Sequence, residues 1–473
     1  MKRRDFIKAA GVLAGSAVTG TPAMAADVAH PAMFTDQRPN ILLVMTDQQS
    51  ADAMSCRMGK TFINTPAMDS LAARGVSFTR AYTANPLCVP ARTSMFTGQP
   101  PHITGFQTNE LTVPLAARVR CLGTYFRDAG YDTGYFGKWH LPFSAKDPSV
   151  HGFDVMGAIK NNGADSEIPA LAAAFVSRTR QKPFLLVTSF VNPHNICEWA
   201  RGKELQDGAV GEPPSPDLCP PAVENLAPPE NEADGILLMR RSYQGNKLFP
   251  VGNFSTNKWR QYRWAYFRMI EKVDARIQAI LAALRDANQI DTTLIVFTSD
   301  HGDCQGAHGW NQKTVFYDNA SRVPLVIAGP GAIPGGLSGG LVNTGLDLLP
   351  TLCECAGIQP PAGLPGNSLK ASTHNPGASV PRTFVVSESG MSQGAPVDGQ
   401  TPQLSGRMVR SVRFKYCAYT IGKQRESLFD MERDPGEMVN LAGKTEYRPE
   451  LERHRQYLAE WCRNTTDSFT VRG

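Results

Sequence analysis

A cysteine that opens a helix, with an arginine one turn later, can hold an anion and use it. Cys88-Val89-Pro90-Ala91-Arg92 has this form. Pro90 fits the first turn of a helix, which puts Cys88 at the N-terminus. The free N–H groups there favour an anionic nucleophile or a bound oxyanion, and Arg92 adds a fixed positive charge. Taken alone, such a cysteine reads as a buried structural residue. Other polar groups suited to chemistry stand far apart in the chain: Asp47-Gln48, Lys138 with His140, His194 in Asn192-Pro193-His194, Asp300-His301 and Lys313. A lone lysine, histidine or aspartate is usually a surface, packing or turn residue. These acquire meaning only if the fold brings them together.

The elements that would do so are legible. Three apolar runs, 41–45, 184–190 and 294–298, lead directly into Asp47-Gln48, His194 and Asp300-His301. Continuous apolar runs separated by helical segments predict parallel strands covered on both faces. Ligands in such sheets sit beyond the carboxyl ends of the strands, so the three polar clusters are expected at one edge. Tyr266, Ile270, Val273, Ile277, Ile280, Leu281 and Leu284 recur at helical spacing and predict a scaffold helix. A further strand is expected at 323–328. Residues 211–235, rich in proline and acids, read as a long loop at the rim of the site, and 371–382 and 389–405 read as loops. Short strands at 384–387 and 409–420 and a helix at 449–463 predict a smaller C-terminal unit, with a boundary near Leu369. No internal repeat is present.

The segment from Cys88 to Arg92, followed by Met95-Phe96-Thr97-Gly98, resembles the signature of type I sulfatases in the alkaline phosphatase superfamily. Gly130-Tyr131-Asp132-Thr133-Gly134-Tyr135-Phe136-Gly137-Lys138-Trp139-His140 resembles their second signature, with Phe136, like Val89 in the first, larger than usual. Residues 428–437 with Asn440-Leu441 resemble a stretch of the second domain of carbohydrate and aryl sulfatases, so the resemblance runs from about Asn40 to Leu441. It implies an α/β fold: a large, mostly parallel sheet sandwiched by helices (alkaline-phosphatase-like) over 38–369, and a smaller C-terminal α+β subdomain over 370–473. It also implies that a maturation enzyme oxidises Cys88 to formylglycine. One oxygen of the hydrated aldehyde attacks sulfur and expels the alcohol; proton loss from the other hydroxyl then releases sulfate and restores the aldehyde. The implied metal ligands are Asp47, Gln48, Asp300 and His301 with residue 88, around one divalent cation. Hard oxygen donors suit calcium. Gln48 and His301, where a second aspartate and an asparagine are common, make manganese the alternative. Lys138 and His140 are expected to touch the modified residue and the sulfate, Lys313 to grip the sulfate, and His194 to serve the leaving oxygen as general acid. His102 and His308 read as structural.

The implied reaction is hydrolysis of a sulfate ester to an alcohol and inorganic sulfate, with sulfated sugar favoured and aryl or choline sulfate open. The alternatives are a phosphonate monoester or phosphodiester hydrolase of the same superfamily, and a non-catalytic binding protein with unmodified Cys88. Composition adds little. The net charge of +5 includes +3 within the first 25 residues, from Lys2, Arg3, Arg4 and Lys8 against Asp5. A remainder of +2 gives no reason to invoke nucleic acid or an anionic membrane. Arg3-Arg4-Asp5-Phe6-Ile7-Lys8, a weakly apolar stretch at 9–19 and Ala23-Met24-Ala25 predict a twin-arginine signal peptide over 1–25, with the Tat translocase as partner and the periplasm as destination. The ten cysteines are too scattered for a disulfide framework.

Overall fold

The computed structural model describes residues 38–111, 119–377 and 382–470; the segment 1–25, expected to be a signal peptide, with Arg3 and Arg4 lies outside them. Eight strands form the main sheet: β1 (Asn40–Asp47), β2 (Gly75–Tyr82), β3 (Asp132–Lys138), β4 (Val155–Lys160), β5 (Phe184–Pro193), β6 (Thr293–Ser299), β7 (Leu325–Ala328) and β8 (Gly336–Asn343). Their order is β4-β3-β5-β1-β6-β7-β2-β8. Every adjacent pair is parallel except those of β7, which runs antiparallel to both β6 and β2. The three apolar runs are β5, β1 and β6, side by side at the centre, with Leu43 in register with Val187 and Val296. The three chemical clusters just beyond them therefore share one edge.

Alternation along β1 explains the sandwich. Leu42 and Val44 face one layer, in which the 31-residue helix Thr256–Asp286 supplies Ile270, Val273, Ile277 and Leu281. Ile41, Leu43 and Met45 face the other, where Met95 and Phe96 of the helix Cys88–Thr97 meet Leu348, Leu349 and Leu352 of the helix Thr344–Cys355. Both faces of the strand are thus buried, as its unbroken apolar run requires.

A second, antiparallel sheet comes next in the chain, of β9 (Phe384–Met391), β10 (Leu404–Ser411), β11 (Phe414–Tyr419) and β12 (Glu426–Asp430), in the order β12-β11-β10-β9. Leu451 and Leu458 of the helix Arg448–Thr465 cover one face with Val409, Tyr416 and Leu428. The other face sets Met408, Cys417 and Tyr419 against Trp310, Phe316 and Tyr317. Both sheets belong to one compact unit, Asp36–Gly473.

Two sequence expectations need correction here. A helix, Lys370–His374, occupies part of 371–382. Strand β9 continues to Met391 and β10 begins at Leu404, inside the stretch read as loop. The polar run Ser387-Glu388-Ser389 is strand because its groups find partners in the main sheet's loops. The Ser387 hydroxyl donates to the Thr83 carbonyl. Glu388 N–H donates to Ala84 O at 2.8 Å, and Ser389 Oγ to Thr314 O at 2.8 Å. Residues 211–235 are irregular as expected, apart from the turn Pro216–Leu218 and the start of the helix Asp234–Gln244. All ten cysteines are free, and no described helix is long and apolar enough to cross a membrane.

Gly137 couples the sheet to the chemistry. It lies at φ 105° beside Ser189, and a Cβ there would come 2.0 Å from the Ser189 carbonyl oxygen. Gly137→Ala should therefore part β3 from β5 and cost about 1–3 kcal/mol of stability in urea unfolding. An unchanged unfolding midpoint would contradict this close approach.

Candidate active site

Cys88 is the first residue of a helix in which every residue is buried. Asn109 Oδ1 accepts from Val89 N–H at 3.0 Å, so a side chain holds one of the helix's free donors. The Cys88 Sγ lies 3.1 Å from Lys313 Nζ, 3.2 Å from His301 Nε2 and 3.9 Å from Asp47 Oδ1. Burial and the Asp47 charge push the thiol's pKa up, but Lys313, Lys138 and His301 outweigh them and hold it well below the usual value. The site favours an anion at this atom.

Arg92 lies one turn further on, fully buried. Its Nε donates to Asp300 Oδ2 at 2.8 Å and its Nη2 to Asp47 Oδ2 at 3.1 Å. Its Nη1 donates to Ser189 Oγ at 2.8 Å and to Lys138 O at 3.2 Å. Lys138 ends β3 and places its Nζ 2.6 Å from Asp47 Oδ2. Burial raises the pKa of Asp47, but Lys138, His194, Lys313 and Arg92 together hold it well below the ordinary carboxylate range. Asp300 goes the other way, raised by burial and by Asp47 against the pull of His301 and Arg92.

Asp47, Cys88, Asp300 and His301 each offer a ligand atom, all within 4.8 Å of one another. His301 Nδ1 lies 2.9 Å from the Gly302 carbonyl, which can only accept, so the proton stays on Nδ1 and Nε2 faces the cluster. Metal-bound imidazoles use this arrangement. Gln48 Oε1 accepts at 2.9 Å from Lys313 Nζ, the same ammonium that reaches Cys88 Sγ. This donor set fits a divalent cation.

The remaining expected residues divide. His194 lies just past β5; burial, Lys313 and Lys138 push its pKa well down against the opposite pull of Asp47 and Cys88. His140 is not brought to Cys88 by any described contact. Its backbone, at φ 45°, donates to Asn161 Oδ1 at 2.9 Å, and its Nδ1 is buried without a partner. His102 and His308 are structural. His102 lies 2.6 Å from Glu388 through Nδ1 and 3.0 Å from Thr465 O through Nε2, in a network closed by Arg407 and Asp467. Burial pushes His308 down to about 3. Sequence reasoning missed Ser189 and Asp303. The signals were a serine interrupting the apolar run of β5, and a second acid three residues after Asp300.

Comparison with known proteins agrees with this geometry. The sulfatase family model matches residues 39–358, and the model of the N-sulphoglucosamine sulphohydrolase C-terminal region matches 306–463. The chain is 30% identical to a Δ4,5-hexuronate-2-O-sulfatase of Bacteroides thetaiotaomicron, over 92% of this chain and 90% of that one. The solved structure of a 2-O GAG sulfatase superposes with a TM-score of 0.79 at 27% identity, covering 92% of this chain and 95% of the other. A phosphonate monoester hydrolase of Agrobacterium radiobacter shares the fold, with a TM-score of 0.68 at 21% identity over 89% and 95% of the two chains. The match over most of the chain places this protein in the sulfatase family of the alkaline phosphatase superfamily, as a sulfuric ester hydrolase.

Proposed function

We propose that the protein removes sulfate from a sulfated saccharide, with a 2-O-sulfated hexuronate as the leading substrate, and that its nucleophile is a formylglycine made from Cys88. The single observation that carries the reading is the setting of Cys88: Sγ stands 3.1 Å from Lys313 and 3.2 Å from His301, at a helix N-terminus, among buried charges. Sγ marks the place of the modified residue's oxygens. The saccharide class is supported by the substrates named for the hexuronate-2-O-sulfatase and the 2-O GAG sulfatase.

On this reading Asp47, Gln48, Asp300 and His301 hold one divalent cation, calcium before manganese because most of the donors are hard oxygens. When bound, it supplies positive charge that favours the ionised nucleophile and offsets the sulfate oxygens. The chain's own residues do the rest. Lys313 reaches residue 88, where negative charge grows on the sulfate oxygens, and Lys138, paired with Asp47, adds its charge to the same site. Arg92 keeps the carboxylates in place. His194 is assigned to the leaving oxygen as general acid. Burial of these groups removes the screening of water and makes each contact count for more. The twin-arginine segment supports export through the Tat translocase to the periplasm after action of a formylglycine-generating enzyme.

Protein made together with such an enzyme should yield a peptide spanning residue 88 with sulfur replaced by oxygen and two hydrogens lost. Cys88→Ala should be inactive yet folded; an intact thiol in fully active protein would overturn the nucleophile.

The mature protein should turn over a 2-O-sulfated hexuronate with a higher kcat/KM than a phosphonate monoester. Lys313→Ala should cost about 10²–10³-fold in kcat, as loss of one preorganised donor does. Preference for the phosphonate would favour the other hydrolase reading.

Replacing Arg3 and Arg4 with lysine should strand the precursor in the cytoplasm. Delivery at the normal level would rule out the twin-arginine route.

A further inference from the structure

The Gln48 side chain ends in an amide whose oxygen and nitrogen occupy nearly the same space but have opposite hydrogen-bonding roles. Half a turn about its last torsion would present an NH₂ group to the ligand cluster in place of a donor oxygen. The groups standing at each end decide which is presented. On the site side is Lys313 Nζ, a pure donor, 2.9 Å from Oε1. On the far side is the carboxylate of Asp303, a pure acceptor, with Oδ2 2.7 Å from Nε2. Cys197 Sγ, 3.4 Å from Nε2 and 3.8 Å from Oε1, favours neither orientation. The Gln48 backbone cannot adjust. It sits at φ 72°, donates its N–H to Asp300 Oδ1 at 3.1 Å and accepts from Tyr266 Oη at 2.7 Å.

Asp303 is itself fixed. Its Oδ1 accepts from Gln305 N–H at 2.7 Å, and its Oδ2 accepts from Tyr262 Oη at 2.9 Å as well as from Gln48. Both oxygens therefore face donors, and the residue is fully buried. We propose that Asp303 is a positioning residue that turns the Gln48 amide so that its oxygen faces Lys313 and the metal ligands. The inference rests on the reading of Gln48 as a ligand. It also accounts for an amide at position 48: a carboxylate there would bring two buried acceptors to hydrogen-bonding distance with no proton between them.

The two positions should therefore be matched, and the match can be reversed. Asparagine at 303 has one acceptor for two donor-facing positions. With Gln48 present, its NH₂ competes with Nε2 and frees the amide to turn. With glutamate at 48, the same NH₂ finds an acceptor.

Calcium is titrated calorimetrically into the metal-stripped mature protein, with manganese as second titrant. Asp303→Asn should weaken binding by about 10–100-fold in the Gln48 protein, the usual effect of losing a partner behind a ligand. In the Gln48→Glu protein the same substitution should tighten binding, a change of sign that a merely structural residue would not produce. Because the double variant also carries Asn at 303, recovery of binding in it shows that the single variant's loss is not unfolding. An effect of equal sign in both backgrounds, with Gln48→Ala still weakening binding, would overturn the positioning role alone. Calcium affinity unchanged in Gln48→Ala would instead remove Gln48 from the ligand set, and this inference with it.

Discussion

The site depends on one guanidinium. Asp47 ends β1 and Asp300 directly follows the neighbouring β6; both are fully buried, an arrangement of like charges that water cannot screen. Arg92 lies between them, one arm on each carboxylate and the third on Ser189 and Lys138 O. Four strands, β1, β6, β5 and β3, are thus tied at their catalytic ends by one planar fork, which a lysine's single ammonium could not match. Removing one partner from a buried pair of this kind typically costs about 3–5 kcal/mol, since the remaining charge is left uncompensated. The arginine that the sequence offers as a cation beside the nucleophile spends its hydrogen bonds on the carboxylates. Lys313 is the cation in contact with residue 88, while Lys138 pairs with Asp47.

The legibility of each feature in the sequence depends on how locally it is determined. The central strands were legible because burial on both faces leaves an unbroken apolar run, and residues just past such a run in a parallel sheet lie at the ligand-binding edge. The start of the helix Cys88–Thr97 was legible from Pro90. The reversal of β7 was not, because strand direction is decided by neighbours distant in the chain. The polar part of β9 was not, because its partners, Thr83, Ala84 and Thr314, come from other loops.

Strand β9 also bears on how the second sheet serves the first. Ser389 holds the carbonyl of Thr314, next to Lys313, and Glu388 holds both Ala84, shortly before Cys88, and His102. The C-terminal sheet thus braces the two loops that lead to Cys88 and Lys313. The buried network of His102, Glu388, Arg407 and Asp467 fastens that brace, with carboxylates and cations alternating. Variation in this sheet is therefore felt at the chemistry without touching it.

The depth of Cys88, 1% exposed, sets an order of events. An enzyme that alters this side chain must reach it before the site closes over it, and His301, part of that closure, is joined to the chain 213 residues later. At about 5–20 residues per second, the ribosome leaves an interval of roughly 10–40 s in which Cys88 exists without the strand that will bury it. Under the formylglycine reading, maturation competes with synthesis during that interval. A chain that folds before it is modified is a closed, stable and idle product.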